Sequence, residues 1–447
     1  MIADKFSRIG FILAVAGSAV GLGNAWKFPT MVGNNGGSAF IALYLLLTFA
    51  IAFIAFLAEL AIGRLGETDL VGCFYKLAPK HKRAWSLAGF FSISAILIAS
   101  FYMVVIGWLV YYIFLSFTGL PATPEASGAS FERIISADAT SALICFSFVF
   151  VIVFFTVSKG IKSGIERLNV FMMPSLFILL CVLFAYSLSM GGGFLKAAEF
   201  LFVPDFSKIT PHLVLEALGL AFFSLSMGTG TIPTYAASLD ERTNLVRSTL
   251  SIIFINILIG IMMGLIVFTF IFDAGFDSTQ GGPGLIFVSL ALLFAKLGVV
   301  GQVLAVCFFT ALLFAGVTSA VSMIEPFAFY LINKFNITRK SALLIIGVVV
   351  YVLGIFCVFS FYKPTSESFS LFGKPIFDIL DALTSTLLMP LGALSFSIFV
   401  GYVLKKDTLW GLFSGFMSRV GFNVWYFALR YIVPLGIVAI MLYKFKS

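Results

Sequence analysis

Between Ile9 and Tyr443 the chain is a succession of apolar runs, and a run of roughly twenty such residues crosses the hydrocarbon core of a bilayer as one α-helix. No water reaches that depth, so every backbone N–H and C=O must find a partner within the protein; only helices and closed barrels meet this demand. A barrel would need short segments of alternating polarity, and the runs here are continuous. Composition agrees: 61% of residues are hydrophobic and 11% charged, about half the charge of a soluble protein. The chain is therefore expected to be an all-α integral membrane protein with about eleven transmembrane helices. They are placed at 9–32, 38–62, 85–118, 139–157, 168–190, 211–236, 244–272, 300–333, 341–361, 376–404 and 422–443. A shorter apolar piece, 286–299, follows the sequence GGPG and is read as an external or re-entrant helix.

The formal charge of +8 does not mark a nucleic-acid partner, because lysines and arginines gather in particular short loops. With the N-terminus inside, eighteen fall on the cytoplasmic side, among them Arg8, Arg64, Arg242 and Arg339, against eight opposite, with Lys27 and Arg430 inside spans. This bias sets the orientation and points to a multi-pass protein of the cell (inner) membrane. The first run is too long and too polar at its centre for a cleavable signal peptide. Cys73, Cys145, Cys181, Cys307 and Cys357 have no CxxC spacing and read as packing residues.

Two spans carry interruptions. The first contains GSAVGLGN, Gly17 to Asn24, and the sixth contains SLSMGTGTIP, Ser224 to Pro233. Glycines, hydroxyls and a proline at mid-membrane free backbone groups that cannot face lipid and must line a cavity or be completed by protein or ions. Breaks five spans apart suggest an inverted repeat, with 9–190 matched to 211–404, an extra helix at 422–443, and a binding site where the breaks meet. Gly17 and Gly21 also satisfy a small-xxx-small pattern, which by itself reads as a helix-packing face.

These segments resemble a known family. SRIGFILAVAGSAVGLGNAWKFP, NNGGSAFIALY and AELAIGR are similar to the start of the neurotransmitter:sodium symporters. EALGLAFFSLSMGTG resembles their sixth span, AGVTSAVSMIEP their eighth and FDILDALTS their tenth. The resemblance implies a LeuT-type fold with a 5+5 inverted repeat and discontinuous helices 1 and 6, and two sodium ions. Sodium 1 would be held by the Ala19 carbonyl, by Asn24, Ser224 and Asn256, and by the substrate's carboxylate; sodium 2 by carbonyls of Gly17, Val20 and Ala315 with hydroxyls of Thr318 and Ser319. Asn256 stands alone in a very apolar span, where an amide is costly unless paired. A substrate carboxylate would meet backbone amides around Gly21, Leu22 and Gly23 and the Tyr102 hydroxyl. Its amino group would meet carbonyls near Ser18, Phe223 and Ser226. Ile98, Tyr102, Phe223, Thr229, Ser319 and Met323 would line the side-chain pocket, which carries no charge. Monoamine carriers of the family have an aspartate where Gly21 stands, so an amino acid with its own carboxylate is the better match.

The outer gate would be Tyr102 and Phe223 below a Lys27–Asp381 pair. The inner gate departs from the family: its usual arginine and tryptophan correspond to Ile2 and Lys5, and its aspartate to Asn333, so the ion pair is missing. Glu59 and Asp378, acids near span ends, are assigned structural roles. Tyr44 and Ser224 suit a halide, but Leu220 and Gly260 replace polar partners, which leaves chloride open. The expected activity is sodium-coupled symport of a neutral, hydrophobic amino acid by alternating access, with no enzymatic step. A transporter-like sensor that binds without transport and a proton-coupled amino-acid carrier remain as alternatives. The partners expected are the amino acid and the lipid bilayer, not nucleic acid, with oligomeric state left open.

Overall fold

The computed structural model describes residues 5–203, 205–240, 243–275 and 283–446. Among the described residues nine helices are long and apolar enough to span a membrane: Ser38–Gly66, Lys82–Thr118, Ala139–Ser158, Ile161–Ser189, Leu245–Asp273, Gly298–Phe335, Arg339–Phe361, Ile376–Val403 and Arg419–Lys444. Two further spans are each split into shorter pieces. The first runs as Arg8–Ala19 and then, after a non-helical step, as a wide π turn Gly23–Lys27 continuing into Phe28–Asn34. The sixth is Pro211–Ser224 and Thr231–Ala237. Nine continuous and two broken spans make the expected eleven, numbered 1 to 11 below in chain order.

Local chemistry fixes where the spans begin. Ser7, Asp138, Thr210, Asn244 and Thr338 each accept a backbone N–H three residues on with a side-chain oxygen, which satisfies donors that the first helical turn leaves open. The largest boundary difference is at span 5. It begins at Ile161 rather than 168, because the polar stretch Ile161–Glu166 forms a π turn in front of the apolar helix.

Short helices that were not foreseen lie outside the spans: Leu70–Leu77, Pro124–Glu132, Gly192–Phe202 and Lys406–Phe413. The expected piece after GGPG forms a helix over Leu285–Lys296, its α-helical part beginning at Ala291; Gly281 and Gly282 lie outside the described residues, as do Ile2 and Arg242. Ser370–Leu371 pairs antiparallel with Lys374–Pro375 in a small hairpin.

Burial sorts the spans into layers. In the most apolar window of span 3, 83% of residues are buried, whereas span 5 has 28% and span 11 has 33%. Span 3 is thus interior and packs along span 8, while spans 5 and 11 show much of their surface outward. Exposed Phe148, Val151 and Phe155 on span 4 and Leu344 and Val348 on span 9 give those helices an apolar outer face, as lipid contact requires.

Candidate functional site

At the first break Val20 takes a non-helical conformation, and its N–H still bonds the Ala16 carbonyl. The Leu22 N–H, freed from the helix, donates to the Tyr102 hydroxyl of span 3 at 2.8 Å. The break needs glycine for lack of space: a Cβ on Gly21 would stand 2.5 Å from Tyr102 Oη and 2.7 Å from Ser319 Oγ, and one on Gly23 would stand 2.8 Å from the Phe223 ring.

The second break is made by backbone shape. Ser226, Gly228 and Gly230 all have positive φ, at 53°, 79° and 80°, a region that costs little for glycine. Glu59 of span 2 closes this break, accepting the Gly228 N–H at 2.8 Å on Oε1. Its assignment as a structural acid omitted this contact with the break itself. The breaks then meet: Ser226 Oγ donates to the Ser18 carbonyl at 2.9 Å, and Ser319 Oγ of span 8 donates to the Gly17 carbonyl at 2.9 Å and lies 3.2 Å from the Ser18 carbonyl.

A cavity of about 70 Å³ lies between them. Of the residues expected to contact substrate, Ser18, Ala19, Gly21, Gly23, Ile98, Tyr102, Phe223, Ser224, Ser226, Thr229, Ser319 and Met323 line it; Leu22 lies on the other side of the Tyr102 hydroxyl, in the wall of a second cavity. Phe101, Thr384, Ser385 and Met389 also line it and were missed, because an apolar or hydroxyl residue in a long apolar helix carries no mark of the face it turns inward. Gly23, Phe101, Tyr102, Phe223 and Asp381 border both this cavity and the second, wider one, which also has Lys27, Trp108 and Asp378 in its wall. Tyr102 and Phe223 thus belong to the partition between the two spaces.

The first set of expected cation ligands comes together. Asn24 Nδ2 donates to Asn256 Oδ1 at 2.8 Å, and Asn256 Nδ2 lies 3.2 Å from Tyr44 Oη and 3.3 Å from Ser224 Oγ. All four side chains are buried. The polarity that makes Asn256 costly in lipid is met within this cluster. Tyr44 Oη also lies 3.2 Å from Ser224 Oγ, while Leu220 and Gly260 bring no polar side chain there. The second set also gathers: Ser319 Oγ reaches from the Gly17 carbonyl to that of Val20 at 3.5 Å, and Thr318 Oγ1 lies 3.0 Å from the Ala315 carbonyl. Neutral carbonyl, hydroxyl and amide oxygens are a donor set suited to a hard cation. Among the described residues no cluster of three His, Cys, Asp or Glu side chains suited to a metal occurs.

The outer pair is arranged differently from the expectation. Lys27 Nζ lies 3.6 Å from the Phe223 ring centroid, and among the described residues it forms no ion pair with Asp381. A lysine at this position lacks the bidentate fork with which an arginine would grip a carboxylate, and it rests on the aromatic face instead.

At the other end of the broken spans, hydrogen bonds and ring packing stand in place of the missing ion pair. Ser7 donates its N–H (3.1 Å) and hydroxyl (2.5 Å) to Glu166 of span 5. Phe6 is buried against Tyr235, ring centroids 5.2 Å apart, and its N–H donates to the Ser238 carbonyl. Asn333 Nδ2 donates to Asp69 Oδ2 at 3.1 Å and Thr68 Oγ1 at 3.2 Å; Lys5 is exposed. Nearby, Arg339 grips the buried Glu325 carboxylate with both guanidinium nitrogens and donates Nε–H to the Val157 carbonyl.

Known proteins resemble this chain over nearly its whole length. The model of the sodium:neurotransmitter symporter family matches residues 4–126 and 129–447. An uncharacterized sodium-dependent transporter, YhdH, of Bacillus subtilis (strain 168) is 37% identical over 98% of this chain and 96% of its own. An uncharacterized sodium-dependent transporter of Haemophilus influenzae is 32% identical over 98% and 96%. Among solved structures, that of MhsT in complex with L-phenylalanine superposes with a TM-score of 0.87 at 36% identity, covering 98% of this chain and 99% of that one.

Proposed function

The chain belongs to the sodium:neurotransmitter symporter family and has its LeuT-type fold, and from that premise we propose that it imports a neutral, hydrophobic α-amino acid together with two sodium ions. The family is one of membrane transporters driven by sodium, not of enzymes. The observation that carries the substrate class is the packing at Gly21, where the Tyr102 and Ser319 hydroxyls leave no room for an aspartate. A substrate amine without its own acid would go unmatched, whereas a zwitterion supplies the carboxylate. That carboxylate would sit against the backbone of Gly21 and Gly23 and the Tyr102 hydroxyl, and would complete sodium 1 beside the Ala19 carbonyl, Asn24, Ser224 and Asn256. Sodium 2 would bind the Gly17, Val20 and Ala315 carbonyls with Thr318 and Ser319. Ile98, Phe223, Thr229 and Met323 would receive an apolar side chain. The phenylalanine bound to MhsT fits this reading.

In the proposed cycle, sodium and substrate enter from the wide outer cavity, Tyr102 and Phe223 close over them, and the bundle of spans 1, 2, 6 and 7 rocks to open the inner side. The N-terminus would be cytoplasmic, in the cell membrane. One charge crossing 100 mV supplies about 2.3 kcal/mol, and a tenfold gradient about 1.4 kcal/mol per ion. Two uncompensated sodium ions thus supply about 7 kcal/mol, which would support a substrate ratio on the order of 10⁵.

The test is uptake of labelled amino acids by proteoliposomes holding the purified protein, under an inward sodium gradient. Accumulation of hydrophobic amino acids that disappears when choline replaces sodium supports the proposal. Sodium-dependent binding without accumulation would make the protein a sensor, and accumulation that follows a proton gradient would remove sodium as the driver.

A further inference from the structure

Span 5 turns one polar side chain toward the first break. Asn169 is fully buried, at 0% exposure. Its Nδ2 donates to the Ile165 carbonyl one turn back at 2.9 Å, which determines the end of the amide that faces its own helix and leaves Oδ1 as the end turned away. That oxygen abuts Gly17: a Cβ at Gly17 would collide with it, and would stand 3.0 Å from Thr318 Cβ. Oδ1 itself has no hydrogen-bond partner. A buried carbonyl oxygen without a partner is destabilising, and inside a membrane no solvent can relieve it. The side chain is also dispensable for the helix, since leucine would fill a similar volume without the polar atom.

We infer that Asn169 Oδ1 is an additional ligand of the sodium ion held between spans 1 and 8. The inference rests on the reading of Gly17, Val20, Ala315, Thr318 and Ser319 as that ion's set, and it extends the set to span 5. Gly17, which Oδ1 abuts, belongs to it, and so does Thr318, which flanks the same point of Gly17. Ser319 Oγ and Thr318 Oγ1 already direct their protons at backbone carbonyls, so their lone pairs remain for a cation, as does the unbonded amide oxygen. An amide is a hard, neutral oxygen donor, suited to sodium without changing the charge carried per cycle. The absence of a Cβ on Gly17 lets this oxygen approach the backbone that would hold the ion.

The experiment titrates sodium chloride against choline chloride at constant ionic strength on the purified full-length protein, reading the unfolding midpoint without amino acid. Asn169→Leu keeps the volume and removes the oxygen; Asn169→Asp keeps Oδ1 and adds charge. The wild type is expected to gain stability with sodium, Asn169→Leu to need about tenfold more sodium for half the effect, and Asn169→Asp to need less than the wild type. A purely structural asparagine would lower the starting midpoint in both variants and leave the half-saturating sodium unchanged, which overturns the inference. Should Asn169→Leu not fold, Asn169→Asp decides: a half-saturating sodium below the wild-type value, as an added carboxylate charge on a true ligand would give, supports it, and an unchanged or raised one overturns it. A wild type that ignores sodium removes the ion site of the proposed function as well, whereas a responsive wild type with a normal Asn169→Leu removes this inference alone.

Discussion

Lys27 sits with its ammonium 3.6 Å from the centroid of the Phe223 ring, the same ring that, with Tyr102, separates the inner cavity from the outer one. The Lys27 charge is thus fastened to the ring proposed above as part of the gate. A desolvated contact of this type is worth about 2 kcal/mol. Phe223→Leu is expected to speed dissociation of bound substrate by about tenfold, and Asp381→Asn by much less, since Asp381 does not pair with Lys27 here. Dissociation of tritiated L-phenylalanine from the purified protein measures both, and equal effects would restore Asp381 as the partner of Lys27.

Gly21→Ala introduces a Cβ into a space bounded by the Tyr102 and Ser319 hydroxyls. Overpacking of this type costs about 1–3 kcal/mol, so substrate affinity is expected to fall by about tenfold or more. Equilibrium binding in sodium chloride is the readout, and unchanged affinity would show that the break can widen.

Tyr102→Phe removes the acceptor of the Leu22 N–H, bonded at 2.8 Å across 80 residues of sequence. An orphaned buried donor costs about 1–3 kcal/mol. Because the same hydroxyl is proposed to meet the substrate carboxylate, affinity should drop by about tenfold to a hundredfold. A drop in thermal stability with normal affinity would confine Tyr102 to holding the break.

Glu166→Ala deletes both acceptors of Ser7 and should loosen the inner side. Losing about 1 kcal/mol of net hydrogen bonding shifts a two-state equilibrium about fivefold. Labelling of a cysteine placed at Ser238, which accepts the Phe6 N–H through its carbonyl, is expected to accelerate accordingly. The rate should depend little on added salt, in contrast to a gate closed by an exposed ion pair.

Glu325→Gln leaves the Arg339 guanidinium, 24% exposed, without its buried carboxylate. Breaking such a pair from one side is expected to cost about 3 kcal/mol, and replacing both charges together should recover part of it. Unfolding midpoints of Glu325→Gln and of the double variant Glu325→Gln/Arg339→Gln test this; a double variant no better than the single one argues against it.

Much of the architecture was legible because a membrane leaves few choices. Apolar length alone placed the spans to within a few residues in most cases, and glycine-rich interruptions marked both breaks. Asn256 was conspicuous because an amide in an apolar helix must have a partner, and it has three in Asn24, Tyr44 and Ser224. Leu70–Leu77 and Lys406–Phe413 escaped notice because two turns of amphipathic sequence between spans look like loop. Glu166 and Asn169 were overlooked for another reason: they matter through what opposes them on span 1, and the sequence of span 5 holds no sign of that facing. The ion pair that the resemblance leads one to seek was visibly absent, but the contacts of Phe6 with Tyr235 and of Ser7 with Glu166 required coordinates. The resemblance pairs Lys27 with Asp381, whereas its ammonium lies over the Phe223 ring.

Phe6 is held against Tyr235 by leaving water rather than by meeting an opposite charge. The attraction between apolar groups weakens as water is cooled. On the proposed cycle, an inward door held by a buried ring would swing more freely in the cold and shut more firmly with warmth, so that temperature itself would set how often the site opens on that side.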